Sequence, residues 1–243
     1  MSTHQLAASH VDIGYPGRTV VSDLSLEVLP GEFTVIVGPN ACGKSTLLRA
    51  LGRMLPPTAG EVVLDGRAIQ RYSTKEVARR VGLLPQQPTT PDAITVADLV
   101  SRGRYPHQRL LRQWSPADAD AVESALAEVG MTEHADRMVD ELSGGQRQRV
   151  WIAMTLAQET PILLLDEPTT FLDVVHQIDV LDLCSRLHEQ GRTLVAVLHD
   201  LNMAARYASH VVVMSDGRIL AQGAAADILT PELLREAFGL EAL

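Results

Sequence analysis

Cysteine is nearly missing from this chain. Two occur among 243 residues, Cys42 and Cys184, and neither has a close Cys partner. No disulfide framework is expected, and a reducing compartment suits the composition. Any run of about 18 apolar residues is also missing, so the chain is not expected to span a membrane by itself. Positive charge is in the minority: 21 Lys and Arg stand against 30 Asp and Glu, for a formal net charge of −9. The molecule as a whole therefore has no general attraction to nucleic acid. Its eight histidines show no metal-ligand spacing. The start, Met1-Ser2-Thr3-His4-Gln5, lacks the basic and then apolar pattern of a secretory signal, so a cytosolic location is expected.

What is present is enough apolar material for a full core, 46% of residues, in a length that suits one large α/β domain or one such domain with an insertion. The strongest local pattern is Gly38-Pro39-Asn40-Ala41-Cys42-Gly43-Lys44-Ser45, in which two glycines separated by four residues are followed by Lys-Ser. The apolar, β-branched run Phe33–Val37 precedes it and Thr46-Leu47-Leu48 opens a helix after it. Strand, glycine-rich loop and helix form the setting of a phosphate-binding loop. Glycines let backbone N–H groups turn inward, and the helix N-terminus adds a positive dipole end. Lys44 is placed to reach β- and γ-phosphates, and the Ser45 hydroxyl to ligate Mg²⁺. A turn that matches by chance is the alternative, and later residues weigh against it.

Residues 6 to 32 alternate apolar and polar positions and read as antiparallel strands. Tyr15, in the turn Gly14-Tyr15-Pro16-Gly17, is either a partly buried anchor or a flat face for a nucleotide base. A second short apolar run, Val81–Gln86, ends in Gln86. Residues 95 to 140 carry helical periodicity: Thr95 caps one helix, and Ser115-Pro116 starts another with the stripe Val122, Leu126 and Val129, ended by Gly130. Residues 88 to about 156 thus read as a helical subdomain inserted into an α/β core. Between these helices lies a basic island, Arg102-Gly103-Arg104-Tyr105-Pro106-His107-Gln108-Arg109, with Arg112 nearby. It reads as a solvated face or as a docking edge for an acidic or lipid-proximal partner.

Ser143-Gly144-Gly145-Gln146 then opens a helix with Ser143 as N-cap and Val150, Ala153, Met154 and Ala157 as its stripe. Two glycines at a helix start bare the backbone N–H groups and make a second anion site. Pro161–Leu165 reads as a strand buried on both faces, ending in Asp166-Glu167. Adjacent strand residues point to opposite sides, so the two carboxylates are expected to divide the work: Asp166 for Mg²⁺ and Glu167 for orienting or deprotonating a water. A last buried run, Arg192–Leu198, ends in His199-Asp200. If the four apolar runs are parallel neighbours, the phosphate loop, Gln86, Asp166-Glu167 and His199 meet at one γ-phosphate. Val211–Leu220 reads as a hairpin, followed by a terminal helix from Pro231.

With the phosphate loop, Leu142–Gln146 and the Asp166-Glu167 strand in this order, the chain resembles an ABC-type ATPase, the nucleotide-binding subunit of an ABC transporter, from about residue 6 to the end. The resemblance implies a P-loop ABC-type ATPase domain over 6–243: a core of 6–87 and 157–243, an antiparallel β subdomain, and the helical subdomain at 88–156. It implies ATP and Mg²⁺ as cofactors, bound through Gly38–Thr46, with Tyr15 as the adenine-stacking aromatic. It implies that Gln86 touches Mg²⁺ and the attacking water and senses the membrane partner. Ser143–Gln146 resemble the signature motif that contacts the γ-phosphate held by a second subunit. Asp173 matches the aspartate of the loop crossing the dimer interface, and His199 the switch histidine. The implied partners are a second ATPase subunit in a head-to-tail dimer, an integral membrane permease and, indirectly, a substrate-binding protein. The implied location is the cytoplasmic face of the cell membrane.

Within the family, Arg102–His107, Asp166–Asp173 and Leu198–Asn202 resemble the ATPases of ferric-siderophore importers, with haem and cobalamin importers as near relatives. Two departures from the family pattern stand out. Ala41 takes a position often filled by glycine and is harmless only at negative φ. Thr170-Phe171 replaces the usual Ser-Ala, and the bulky Phe171 is expected to alter packing. The competing readings are a soluble ABC-type clamp without a membrane partner, and a small-molecule kinase; the latter leaves the Gly144-Gly145 helix start without a purpose.

Overall fold

The computed structural model describes residues 4–108 and 114–239. Arg109 and Arg112 of the basic island lie outside the described residues.

The chain opens with alternating patterns that pair as strands: β1 (Leu6–Tyr15) and β2 (Arg18–Val28) form an antiparallel hairpin. β3 (Phe33–Val37) is apolar throughout and buried at all five residues. The phosphate loop leads into α1 (Lys44–Leu51), then β4 (Ala59–Leu64), β5 (Arg67–Ala68), α2 (Thr74–Ala78) and β6 (Val81–Leu84). Helices α3 (Val96–Ser101), α4 (Pro116–Glu128) and α5 (Gly144–Ala157) separate β6 from β7 (Ile162–Asp166). The chain closes with α6 (Val174–Glu189), β8 (Thr193–Val197), α7 (Leu201–Tyr207), β9 (His210–Ser215), β10 (Arg218–Gly223), α8 (Ala225–Ile228) and α9 (Pro231–Phe238).

Two sheets result. One has the order β2-β1-β4-β5, antiparallel throughout; the other has the order β10-β9-β3-β8-β7-β6, in which all neighbours but β10 and β9 are parallel. Residue parity splits the core. Val35, Val37, Leu163, Leu165, Leu194 and Ala196 face one cluster with α3 to α6. Ile36, Ile162, Leu164, Val195 and Val197 face another with α1 and the smaller sheet. Because both faces are covered, these strands have no polar side, which is why they read as unbroken apolar runs. Truncating one such buried leucine to alanine costs about 2–5 kcal/mol.

Side-chain caps set the helix starts read from the sequence. Thr95 accepts from the Asp98 amide. Ser115 with Asp118, and Ser143 with Gln146, form reciprocal capping boxes, each cap contributing about 0.5–2 kcal/mol.

The basic island is divided: Arg102 is exposed, while Arg104 is turned into the fold. Its residues 102–107 form a 3₁₀ turn in which Arg104 is only 4% exposed. The Arg104 guanidinium donates to Asp118 Oδ1 at 2.9 Å, Glu159 Oε2 at 2.5 Å and the Ala157 carbonyl at 2.6 Å. His107 Nε2 lies 2.9 Å from the Gln158 carbonyl, and Arg79 Nε donates to the Pro106 carbonyl at 2.9 Å. The Arg104 charge is thus consumed within the fold, and these bonds tie the turn to α2, α4 and the end of α5. Removing one member of a buried pair strands the other, at about 3–5 kcal/mol.

Candidate nucleotide site

The phosphate loop is held open by backbone geometry. Gly38 has φ +155° and Gly43 φ +108°. A Cβ on Gly38 would lie 2.1 Å from the Met214 carbonyl oxygen, and one on Gly43 would lie 2.8 Å from Val21 Cγ2, so neither position admits a side chain. Ala41 does not have the negative φ that would make it harmless. It sits at φ +63°, where its Cβ crowds the following carbonyl at about 1–2 kcal/mol. Lys44 is buried and donates from Nζ to the carbonyl oxygens of Gly38 and Pro39, both at 2.8 Å, so its ammonium lies across the loop.

A cavity of about 240 Å³ opens over this loop. Asn40, Ala41 and Gly43 to Thr46 line its floor, Tyr15, Arg18 and Val20 one wall, and Glu167 and His199 the other. Gly38 and Pro39 contribute through their carbonyls to Lys44 rather than to the lining, and Cys42 is buried with its Sγ beside Gly38. Two arginines went unread in the sequence. Arg18 lies directly across the β1–β2 hairpin from Tyr15, a placement the turn Tyr15-Pro16-Gly17 signals. Arg49 follows Ser45 by one helical turn; its Nη1 donates to Tyr15 Oη at 3.4 Å, and its Nε lies 3.7 Å from Asp166 Oδ2.

The other wall comes from the carboxyl ends of neighbouring parallel strands. Following the order β3-β8-β7-β6, the residues just past the strand ends are the phosphate loop, His199, Glu167 and Gln86. Glu167 accepts from Gln86 Nε2 at 2.6 Å and Thr170 Oγ1 at 2.9 Å on one oxygen, and its other oxygen lies 2.8 Å from His199 Nε2. Burial pushes the Glu167 carboxyl up, but the bonds from His199, Thr170 and Gln86 outweigh it and hold the group below its ordinary value. It is therefore ionised and aimed. Strand alternation is not what separates it from Asp166. Glu167 lies beyond the end of β7 at φ +53°, and this left-handed step turns it away from its neighbour.

Asp166 is 1% exposed, and neither carboxylate oxygen has a hydrogen-bond partner among the described residues. Burial pushes its carboxyl above the ordinary range. Ser45 and Arg49 pull it back only in part, and Glu167 adds repulsion. A buried, ionisable group with unused oxygens beside the Ser45 hydroxyl is a hard-oxygen donor set that fits a divalent cation.

Ser143–Gln146 and Asp173 are not part of this cavity's lining. They stand together elsewhere. A Cβ on Gly145 would meet His176 Cδ2 at 2.4 Å, so the start of α5 packs directly on the start of α6. His176 is held in turn by Asp173, whose Oδ1 accepts the His176 backbone N–H at 3.0 Å and lies 2.7 Å from its Nδ1. Phe171, expected to alter packing, packs little within its own chain: it is 84% exposed.

A family model described as ABC transporter matches residues 21–170. The ferric enterobactin transport ATP-binding protein FepC of Escherichia coli (strain K12) is 56% identical over 243 residues, spanning 100% of this chain and 90% of that protein. The iron(3+)-hydroxamate import ATP-binding protein FhuC of Bacillus subtilis (strain 168) is 45% identical over 240 residues, spanning 98% and 89%. Among solved structures, a bacterial ABC transporter cassette in dimeric form superposes with a TM-score of 0.80 at 28% identity, over 90% of this chain and 98% of that one. A phosphate loop and a braced carboxylate at the ends of adjacent strands, in a chain matched over more than half its length by this model, place it in the ABC transporter family as an ATP-hydrolysing ATP-binding subunit.

Proposed function

We propose that this chain powers a ferric-siderophore importer, held at the cytoplasmic face of the membrane by an integral permease and served indirectly by a substrate-binding protein. The observation that carries the chemistry is Glu167, ionised and fixed from three sides at the mouth of the phosphate-loop cavity. The siderophore assignment rests on the two relatives named for ferric enterobactin transport and iron(3+)-hydroxamate import.

In this reading Tyr15 stacks on the adenine and the amides of Asn40–Thr46 wrap the phosphates. Lys44 turns its ammonium from the Gly38 and Pro39 carbonyls to the β- and γ-phosphates. Ser45, Gln86 and Asp166 would hold Mg²⁺, which supplies charge neutralisation at the phosphates. Glu167 takes a proton from the attacking water as its oxygen bonds to the γ-phosphorus and the β–γ bridging bond breaks; His199 steadies both the carboxylate and the γ-phosphate. Ser143–Gln146 and Asp173 act on the nucleotide of a second copy in a head-to-tail dimer. The helices of 88–156 form the lobe that carries Ser143–Gln146 to it.

The test is a mild-detergent purification of the tagged chain from its own cells, with uptake of iron-labelled siderophores in cells carrying only Glu167→Gln. A co-purifying polytopic membrane protein and lost uptake are expected. A wholly soluble partner with uptake intact overturns the importer and favours the soluble clamp.

A further inference from the structure

Lys44, Arg49 and Arg18 stand around the nucleotide cavity, and the chemistry above gives work only to Lys44. Lys44 lies on the Gly38 and Pro39 carbonyls. Arg49 lies against Tyr15 Oη and Asp166 Oδ2. Arg18 lines the cavity and is exposed, and its guanidinium has no hydrogen-bond or ion-pair partner among the described residues. Turn chemistry sets where it stands. Pro16 and Gly17 form the two-residue loop between β1 and β2, with Gly17 at φ +79°. Proline suits the first position of such a turn, and glycine supplies the positive φ of the second. Tyr15 and Arg18 are therefore the closing pair of the hairpin, matched in register. Such cross-strand partners carry their Cβ atoms about 4.5–5.5 Å apart on one face. Val20, two residues further along β2, lines the cavity as well. It stands against the phosphate loop, since a Cβ on Gly43 would lie 3.4 Å from Val20 Cγ1. Two strand residues advance by roughly 6–7 Å, so the wall runs from Tyr15 and Arg18 to the loop within that step.

We infer that Arg18 is a nucleotide-binding residue whose guanidinium takes the two non-bridging oxygens of the α-phosphate. The inference rests on the nucleotide site proposed above and adds a binding group to it. With the base on Tyr15 and the β-phosphate at Gly43 and Lys44, the ribose and the α-phosphate span the stretch of wall that Arg18 and Val20 line. Of those two groups only the α-phosphate is anionic, and a planar fork of N–H donors matches a pair of phosphate oxygens. The guanidinium has no internal partner to give up, so it is free to turn to the ligand. ATP and ADP share the α-phosphate, and hydrolysis does not alter it. The contact is therefore uniform binding: it holds substrate and product alike and leaves the barrier of the chemical step where it was. Arg18 and Lys44 divide the phosphates between them, one reading what every adenine nucleotide with an α-phosphate has, the other what hydrolysis changes.

The test measures binding of ATP, ADP and GTP to the full chain by calorimetry in chelator, where ATP is not turned over, and phosphate release in MgATP. Arg18→Ala should weaken all three nucleotides by the same factor, about tenfold for an exposed charge-assisted contact. It should raise KM for MgATP by a similar factor and leave kcat in place. The factor should shrink as salt rises. Arg18→Lys, which keeps the charge without the fork, should fall between the two proteins. The melting temperature of the nucleotide-free chain should not move, which separates a lost contact from a lost fold. In a Tyr15→Ala background the same factor should persist, because the contact does not run through the ring. Unchanged affinities overturn the contact. So does a loss for ATP that spares ADP, which puts Arg18 at the γ-phosphate, and so do unequal losses for ATP and GTP, which put it on the base. A factor that vanishes with Tyr15 makes Arg18 a support for the ring and overturns it too. Each of these leaves the nucleotide site standing, whereas a parent chain that binds neither ATP nor ADP removes the site and the contact with it.

Discussion

Two regions of this molecule are built to opposite standards. The phosphate-loop cavity is finished: Lys44 and Asp166 are buried, Glu167 has a partner for each oxygen, and Gly38 and Gly43 stand where no side chain fits. The edge made by Ser143–Gln146 and Phe171–His176 is ordered but uncovered, with glycine amides at a helix start and Phe171 in solvent. In the first region Glu167 is already aimed, as electrostatic preorganisation requires, and Lys44 has only to turn from the Gly38 and Pro39 carbonyls. The second is ordered too, yet it lies off the chain's own nucleotide cavity. In the head-to-tail dimer proposed above, such an ordered edge is half of a site whose other half is a second copy.

The comparison breaks most sharply at Lys44. Lys44→Ala should lower ATP turnover about a thousandfold and weaken nucleotide binding by the monomer, measured by phosphate release and calorimetry; retained turnover removes the phosphate loop from the mechanism. The matching lesion at the edge is Gly145→Ala. Its Cβ would lie 2.4 Å from His176 Cδ2, so His176 must swing and release Asp173. Overpacking of this kind costs about 1–3 kcal/mol. Turnover should fall at least about tenfold while the monomer still binds ATP at parental affinity. Loss of monomer binding would mean that the two regions are not separate.

Asp166 tests whether the finished region is finished only with its cation. Its carboxyl titrates higher folded than unfolded, so its ionisation opposes folding. The penalty is absent below the ordinary carboxylate range and complete above the folded-state value. Asp166→Asn should therefore stabilise the nucleotide-free protein at neutral pH by about 1–3 kcal/mol, or about 2–4 °C per kcal/mol at this size. The gap between the two proteins should close as pH falls through the folded-state value. Thermal melts across that range in chelator check the sign. A less stable Asp166→Asn protein at neutral pH would mean that the carboxylate is satisfied without a metal.

What the sequence made legible follows the same division. The parallel strands were readable because burial on both faces writes itself as unbroken apolar runs, and the helix starts because Thr95, Ser115 and Ser143 are themselves the caps. The meeting of Gln86, Glu167 and His199 was legible only on the condition that their strands be parallel neighbours, a condition the structure supplies. Less was legible wherever a long-range partner or a backbone sign decides. Arg104 looked like surface charge because its partners lie 14 and 55 residues away. Arg18 and Arg49 carry no motif of their own. The left-handed backbone at Glu167 and Phe171 leaves no mark on residue type, since neither is glycine.

Ala41 is where that last difficulty can be weighed, and its expected effect is the smallest. Its φ of +63° costs about 1–2 kcal/mol in a residue with a Cβ. Ala41→Gly removes that strain but gives the unfolded chain more freedom to lose, at about 0.4–1 kcal/mol. The difference favours glycine slightly, so the nucleotide-free protein should gain from nothing to about 1.6 kcal/mol in denaturant unfolding. Ala41 also lines the cavity floor, and its methyl stiffens the loop around the position that phosphate must enter. A glycine there should leave the loop freer before binding and so weaken ATP by a few-fold even as the fold gains. Opposite signs in the two measurements would show strain being used for preorganisation. A variant that binds ATP more tightly would show the left-handed alanine to be an obstacle that the loop merely tolerates.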